Sequence, residues 1–262
     1  MNIYLKELKD RWKSTLIWSL SMLAYVVMSM VKFEAGASAA GSMEELLKAM
    51  PQSLQNLMGA SLLDLGTPMG FFTAAFPYLL LVAGIHGAIL GAGILSREER
   101  DRTTEFLATR PISREGILLP KLLAALTLSL IYSLSTTLFS LLVLQGYGPL
   151  DLDLYLLMGG FMALDAFFLL LGFFLAAFLP RPRLAVPLAS ALVLFFFLLM
   201  VVGEMTGSMG LFSWLTPFAW FDGKALLGLT ETGTGPYILA LFLAFLFPLL
   251  SFYRYPRRDL NL

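Results

Sequence analysis

Six stretches of this chain stay apolar for long enough to cross a lipid bilayer, and that constrains its fold more than any other feature of the sequence. They are Ser14 to Val31, Phe71 to Leu95, Leu119 to Leu144, Leu154 to Leu179, Leu184 to Val202 and Pro236 to Tyr253. The shortest has 18 residues and the longest 26, where about 20 helical residues cross a hydrocarbon core of about 30 Å. In lipid every backbone N–H and C=O must be satisfied within the protein, so each run predicts a helix rather than a lone strand. Composition agrees: 58% of the 262 residues are hydrophobic and 14% charged, whereas soluble domains carry about 25% charged residues. The expected fold is an all-α, polytopic membrane protein of six transmembrane helices, forming one transmembrane domain over residues 1–262.

The formal net charge is zero, which speaks against a nucleic-acid binder, but the charges are sorted along the chain. Lysines and arginines concentrate before the first run (Lys6, Lys9, Arg11, Lys13), in the second connection (Arg97, Arg100, Arg102, Arg110, Arg114, Lys121), at Arg181 and Arg183, and at Arg254, Arg257 and Arg258. The alternate connections hold only Lys32, Lys48 and Lys224. Cationic loops stay in the cytoplasm, so both termini are predicted there, consistent with an even number of spans, which requires that they share a side. The small-residue run Glu34 to Gly41 after the first span superficially resembles a signal-peptide cleavage site, but the preceding apolar run is long for a signal core.

Several chemistries are excluded outright. With no cysteine and one histidine, His86, the chain cannot build a thiolate site or a multi-imidazole metal centre. A phosphate-binding Walker loop ends in Gly-Lys-Ser/Thr; the single Gly-Lys pair, Gly223-Lys224, is followed by Ala225. Any use of ATP therefore falls to a partner.

The connecting segments carry local signals. Met1 to Lys13 is amphipathic, with Leu5, Leu8 and Trp12 on one stripe, and reads either as an interfacial helix or as a basic flank. Leu46, Leu47, Met50, Leu54, Leu57 and Met58 recur at helical spacing between the first two spans, as in short helices on the outer surface. Thr67-Pro68 and Thr216-Pro217 have the form of an N-cap followed by a first-turn proline. Trp214 to Leu227 is apolar and aromatic enough for an interfacial or re-entrant helix. The connection from Ser96 to Lys121 is densely charged, then presents Phe106 and Leu107 before Pro111. Such a segment suits either a docking element or a solvated loop.

In that connection Arg97, Glu98, Glu99, Thr103, Glu105, Leu107, Pro111, Ser113, Arg114 and Lys121 stand in a pattern that resembles the permease subunits of type-2 ATP-binding-cassette exporters. Arg102 replaces a common glycine, and Thr104 and Phe106 replace leucines. The likeness extends to Met50 to Gly59, Asp64 with Thr67 to Phe71, Thr216 to Trp220 and Tyr255 to Leu260, and so covers essentially the whole chain. It implies an amphipathic N-terminal elbow helix over residues 1–13 and a cytoplasmic coupling helix within 96–118, seated in a groove of a separate ATPase. Arg97, Glu98, Glu99, Arg102, Thr103, Glu105, Phe106 and Arg110 are then the expected coupling residues. The resemblance further implies two ATPase copies carrying ATP and Mg, a second permease chain as homo- or heterodimer, and a bacterial or archaeal plasma membrane. No cofactor is expected on this chain.

Ionisable residues inside a membrane are functional candidates. Asp165 falls near the middle of the fourth span and His86 nine residues from the inner end of the second. Measured from those ends their depths differ by roughly 7 Å, marginal for a direct pair. A polar cavity lining and a structural interhelical hydrogen bond are both open, as is an ion-coupled secondary transporter using these two residues. An intramembrane protease built on Glu98 and Glu99 is a weaker rival. Glu204 is expected at the outer interface, and the small face Ala83, Gly84, Gly87, Gly91 and Gly93 serves either packing within the chain or a dimer seam.

Overall fold

The computed structural model describes residues 2–38, 50–59, 62–100, 114–181, 184–207, 214–230 and 233–257. Nine α-helices are found among them: α1 (Ile3–Ser38), α2 (Gln52–Met58), α3 (Pro68–Arg100), α4 (Arg114–Leu144), α5 (Leu152–Phe178), α6 (Ala185–Thr206), α7 (Pro217–Trp220), α8 (Gly223–Leu226) and α9 (Gly235–Arg254), followed by a 3-10 turn at Tyr255–Arg257. No strand occurs among the described residues. Six of the helices, α1, α3, α4, α5, α6 and α9, are long and apolar enough to cross a membrane. They cover all six expected runs to within one residue at an end, so the all-helical six-span fold stands.

The first helix departs from expectation. Residues 1–13 were expected to form an elbow distinct from the span, yet α1 runs unbroken through 36 residues. The cause is local: neither glycine nor proline occurs between Asn2 and Gly36, so nothing interrupts the hydrogen-bond ladder. At 1.5 Å per residue the helix is about 54 Å long, and its amphipathic first turns project beyond the hydrocarbon core at the face that carries both chain ends. We call this the terminal face and the opposite one the far face.

The start of α3 follows its sequence signal. Thr67 Oγ1 accepts from Gly70 N at 3.1 Å and donates to the Asp64 carbonyl at 2.8 Å, capping a helix whose first residue is Pro68. Gly70 is required there, because a Cβ would overlap the Asp64 carbonyl.

The centre of the molecule is the seam between α3 and α5. A Cβ on Gly87 would overlap the carbonyl of Asp165, and one on Gly91 that of Leu169; from the other side, a Cβ on Gly172 would sit 2.5 Å from the carbonyl of Ala88. Gly87 and Gly91 thus serve packing within the chain, letting two backbones meet where the driving force in lipid is van der Waals contact. Around the seam α1, α6 and α9 turn much of their surface outward, with Ile17, Leu198, Phe245 and Leu249 exposed, as lipid-facing helices do.

Between α6 and α9, residues 214–230 are re-entrant. Phe218 lies against Phe168 and beside Gly84, and Trp220 packs on Phe167, all within a turn or two of the membrane centre. Pro217 opens α7 as expected, but Thr216 does not cap it. Its hydroxyl instead donates to the Phe196 carbonyl of α6 at 2.8 Å, which ties the segment into the bundle.

Candidate functional site

Asp165 is the fourteenth of the 27 residues of α5, at the middle of the span, and is fully buried. Its Oδ1 shares a hydrogen bond of 2.8 Å with His86 Nδ1 of α3, and its Oδ2 accepts from Ser129 Oγ of α4 at 2.5 Å. The imidazole lies against Tyr132 of α4, ring centroids 3.9 Å apart, and meets Trp18 of α1 edge-on at 5.5 Å. Four helices therefore meet on one buried carboxylate and one buried imidazole.

This overturns the expected difference in depth. The runs used as rulers ended at Leu95 and Leu179, but α3 continues to Arg100 while α5 stops at Phe178. From the observed ends His86 is fourteen residues in and Asp165 thirteen, about 1.5 Å apart along the axes. Polar residues on the last turns of α3 concealed how far the helix extends past the apolar run.

The pair is the centre of a side-chain hydrogen-bond network that joins α3, α4 and α5. Ser129 and His86 bind the same carboxylate rather than each other, so the serine has no imidazole base and the arrangement is not a nucleophilic triad. His86 is also remote from Glu98, twelve residues or about 18 Å further along α3, which removes the glutamate–histidine pairing of the protease rival.

A second buried cluster sits near the terminal face. Glu7 Oε2 accepts from Arg11 Nε at 3.2 Å, and Glu7 Oε1 pairs with Lys121 Nζ at 3.3 Å. Arg11 also donates to the Gly93 carbonyl at 2.8 Å and Lys121 to the Ile94 carbonyl at 2.9 Å. Lys121 is entirely buried. Two cations, one from α1 and one from α4, thus hold successive carbonyls of α3 about one turn before Arg97.

Of the expected coupling residues, Arg97 is on α3, and Glu98 and Glu99 belong to its last turn. Arg102, Thr103, Glu105, Phe106 and Arg110 lie outside the described residues.

Toward the far face, Glu204 was expected at the interface but is buried in an ion pair with Lys224 of α8. Asp222 Oδ2 lies 3.8 Å from the same ammonium and accepts from the Lys224 backbone N–H at 3.2 Å. Burial holds the Asp222 carboxyl above its usual range, and Lys224 partly offsets this. The re-entrant fold of residues 214–230 brings Lys224 to Glu204, and sequence spacing offered no hint of it. Nearby, a cavity of about 560 Å³ opens between α1, α3 and α6, lined among others by Tyr25, Met28, Phe71, Tyr78 and Phe197, with Lys32 beside them.

Ser129, Tyr132, Glu7 and Lys121 as buried partners were not read from sequence as a set. The available signal was the hydroxyl pattern Ser129, Ser133, Thr136, Ser140, which keeps to one face of α4.

A family model described as ABC-2 family transporter protein matches residues 1–260. Among curated proteins none matches the chain.

Proposed function

The chain belongs to the ABC-2 family of transporter proteins, and from that premise we propose that it is the permease subunit of an ATP-driven exporter, coupled to a separate ATPase through the segment that follows α3. It is a multi-pass membrane protein, and the proposal adds direction, partner and mechanism. The observation that carries it is the clamp on α3. A helix of 33 residues extends past the membrane core and is gripped at Gly93 and Ile94 by Arg11 and Lys121, immediately before the motif Arg97, Glu98, Glu99. A push on that motif is borne by a rigid lever rather than absorbed by a flexing helix end.

In this reading the terminal face is cytoplasmic, because it carries fifteen of the eighteen Lys and Arg. Two ATPase copies bind ATP and Mg, and their closure draws together the coupling segments of two permease chains. The lever passes the motion to the α3–α5 seam, whose interlocked backbones move α5 with α3. Cargo enters between the helices of paired permeases; the 560 Å³ cavity, aromatic and Met-lined with Lys32 nearby, suits an amphipathic molecule with an apolar body and an anionic group.

Charge reversal at Glu98→Lys together with Glu99→Lys tests the assignment. The double variant should still insert and purify, but should lose copurification with a coexpressed ATPase and lose ATP-dependent transport. A complex and a transport rate equal to wild type would remove these glutamates from the docking surface. Stimulation of ATPase activity across a panel of amphipathic ligands would identify the cargo class.

A further inference from the structure

One face of α4 is lined with hydroxyls. Ser129, Ser133, Thr136 and Ser140 follow one another at four, three and four residues, with Tyr132 beside them, and all five are buried. At 100° per residue they occupy a stripe roughly 100° wide. Ser129 is bonded to Asp165 and Thr136 to the Tyr132 carbonyl at 2.9 Å. The Tyr132 hydroxyl, Ser133 Oγ and Ser140 Oγ have no hydrogen-bond partner among the described residues.

Buried hydroxyls are rarely left unsatisfied; where protein does not serve them, ordered water does. The spacing suits water. Residues three or four apart on a helix lie about 5 to 6 Å from each other, and one water making two hydrogen bonds of about 2.8 Å bridges such a gap. The stripe also has direction. Its inner end is Ser129 on Asp165, with Tyr132 against His86. Its outer end, Ser140, is one turn from Leu144, which lines a far-face pocket of about 170 Å³ together with Thr67, Tyr147 and Asp151. On the same face of α4 toward the terminal side, Ala125, Leu122 and Leu118 are buried without a polar side-chain atom.

We propose that Asp165–His86 is a protonation site at the middle of the membrane, connected to the far face and not to the terminal face by a file of internal waters seated on the hydroxyl stripe of α4. A proton enters as hydronium at the far-face pocket. Each water or hydroxyl accepts a proton on a lone pair and releases its own to the next, so the file gains and loses no atom, and its hydrogen bonds turn back before the next passage. The last transfer places one proton on the Asp165 carboxylate or on the free imidazole nitrogen of His86, raising the charge of the pair by one. The titratable side chains in contact at the site are Asp165 from α5, His86 from α3 and Tyr132 from α4; Trp18 of α1 adds a face with no acid–base group, and the charged cluster of Glu7, Arg11 and Lys121 is separated from it by the apolar stretch of α4. This goes beyond the exporter assignment and holds whether or not an ATPase drives the chain.

The chain's one histidine makes the test direct. The full-length protein, labelled with nitrogen-15 histidine and placed in lipid nanodiscs, gives a single imidazole to follow by NMR. Between about pH 8 and about pH 5, the range in which imidazoles charge, either the His86 ring shifts or an infrared carboxyl band of Asp165 appears; a pair silent in both overturns the proposal. In Ser133→Val with Ser140→Val, hydrogen–deuterium exchange of the His86 ring N–H should slow at least about tenfold, since the waters lose two anchoring hydroxyls, while its chemical shift stays put. Thr137→Val, off the stripe, should leave exchange unchanged. Equal exchange in the stripe variant and wild type overturns the path. A second measurement needs no variant: water-to-protein magnetisation transfer in wild type should reach Ser133 and Ser140 before Ala125 and Leu122, and the reverse order overturns the assigned direction.

Discussion

The two buried ionic clusters that grip α3 differ in the kind of charge they hold. Near the terminal face Glu7 is matched by Arg11 and Lys121, and Arg11 keeps its charge at any physiological pH. At the membrane centre the pair is His86 and Asp165, with hydroxyls around them, the two groups that the proposed protonation would charge. The first cluster also spends its donors on backbone, at Gly93 and Ile94, and thereby fixes a helix. The second touches only side chains across α3, α4 and α5. A fixed cluster suits a clamp, and a titratable one suits a switch that biases the seam it bridges.

If the terminal cluster is a clamp, removing a cation should be the costliest single change. Lys121→Met leaves the buried Glu7 with one cation and frees the Ile94 carbonyl. Breaking a buried ion pair costs about 3 to 5 kcal/mol, and Lys121→Met should approach that figure in thermal unfolding of the full chain in nanodiscs. Adding Glu7→Gln should deepen the loss, because it also breaks the remaining ion pair with Arg11. A loss under about 1 kcal/mol, the range of exposed pairs, would mean that water reaches the cluster and that no clamp exists.

The central pair depends on the seam beneath it, and a second change separates the two clusters. Gly87→Leu forces α5 away from α3, because its first side-chain atom already overlaps the Asp165 carbonyl. Overpacking of this sort costs about 1 to 3 kcal/mol or more. The His86 imidazole signal should move as the bond to Asp165 lengthens, while a reporter placed on Arg97 should not. Movement at both sites would show α3 shifting as one body, with the clamp too weak to isolate its end.

How much of this was legible beforehand follows from what each feature needs. The six spans were readable because an apolar run of bilayer length admits one backbone solution, and the Thr67-Pro68 cap because it is local. The small face of α3 was visible as Gly87 and Gly91, although only the partner helix decided between internal packing and a dimer seam. The His86–Asp165 bond was left open, with the difference in depth set too large, because hydropathy ends a span where side chains turn polar, whereas α3 extends five residues further to Arg100. Glu204 with Lys224, and Glu7 with Lys121, join residues far apart in sequence, and no periodicity encodes such pairings. The hydroxyl stripe of α4 was the exception, since its spacing was present in the sequence and only its burial was hidden.

The smallest effect is expected at the far-face cluster, which combines both kinds of charge. Asp222 caps α8 through the Lys224 N–H and has its carboxyl held above the usual range by burial, with Lys224 pulling the other way. A carboxyl whose folded value is raised contributes its full stability below the unfolded value, near about 3.9, and loses it as pH rises through the folded value. Asp222→Asn keeps an oxygen for the cap and cannot ionise, so it should match wild type below about pH 3.9 and become relatively more stable as pH rises through that window. The gain should be below about 1 kcal/mol, since the asparagine also surrenders the attraction of Lys224. Should the variant instead lose ground as pH rises, the attraction to Lys224 outweighs the cost of burial, and this cluster belongs with the clamp rather than with the switch.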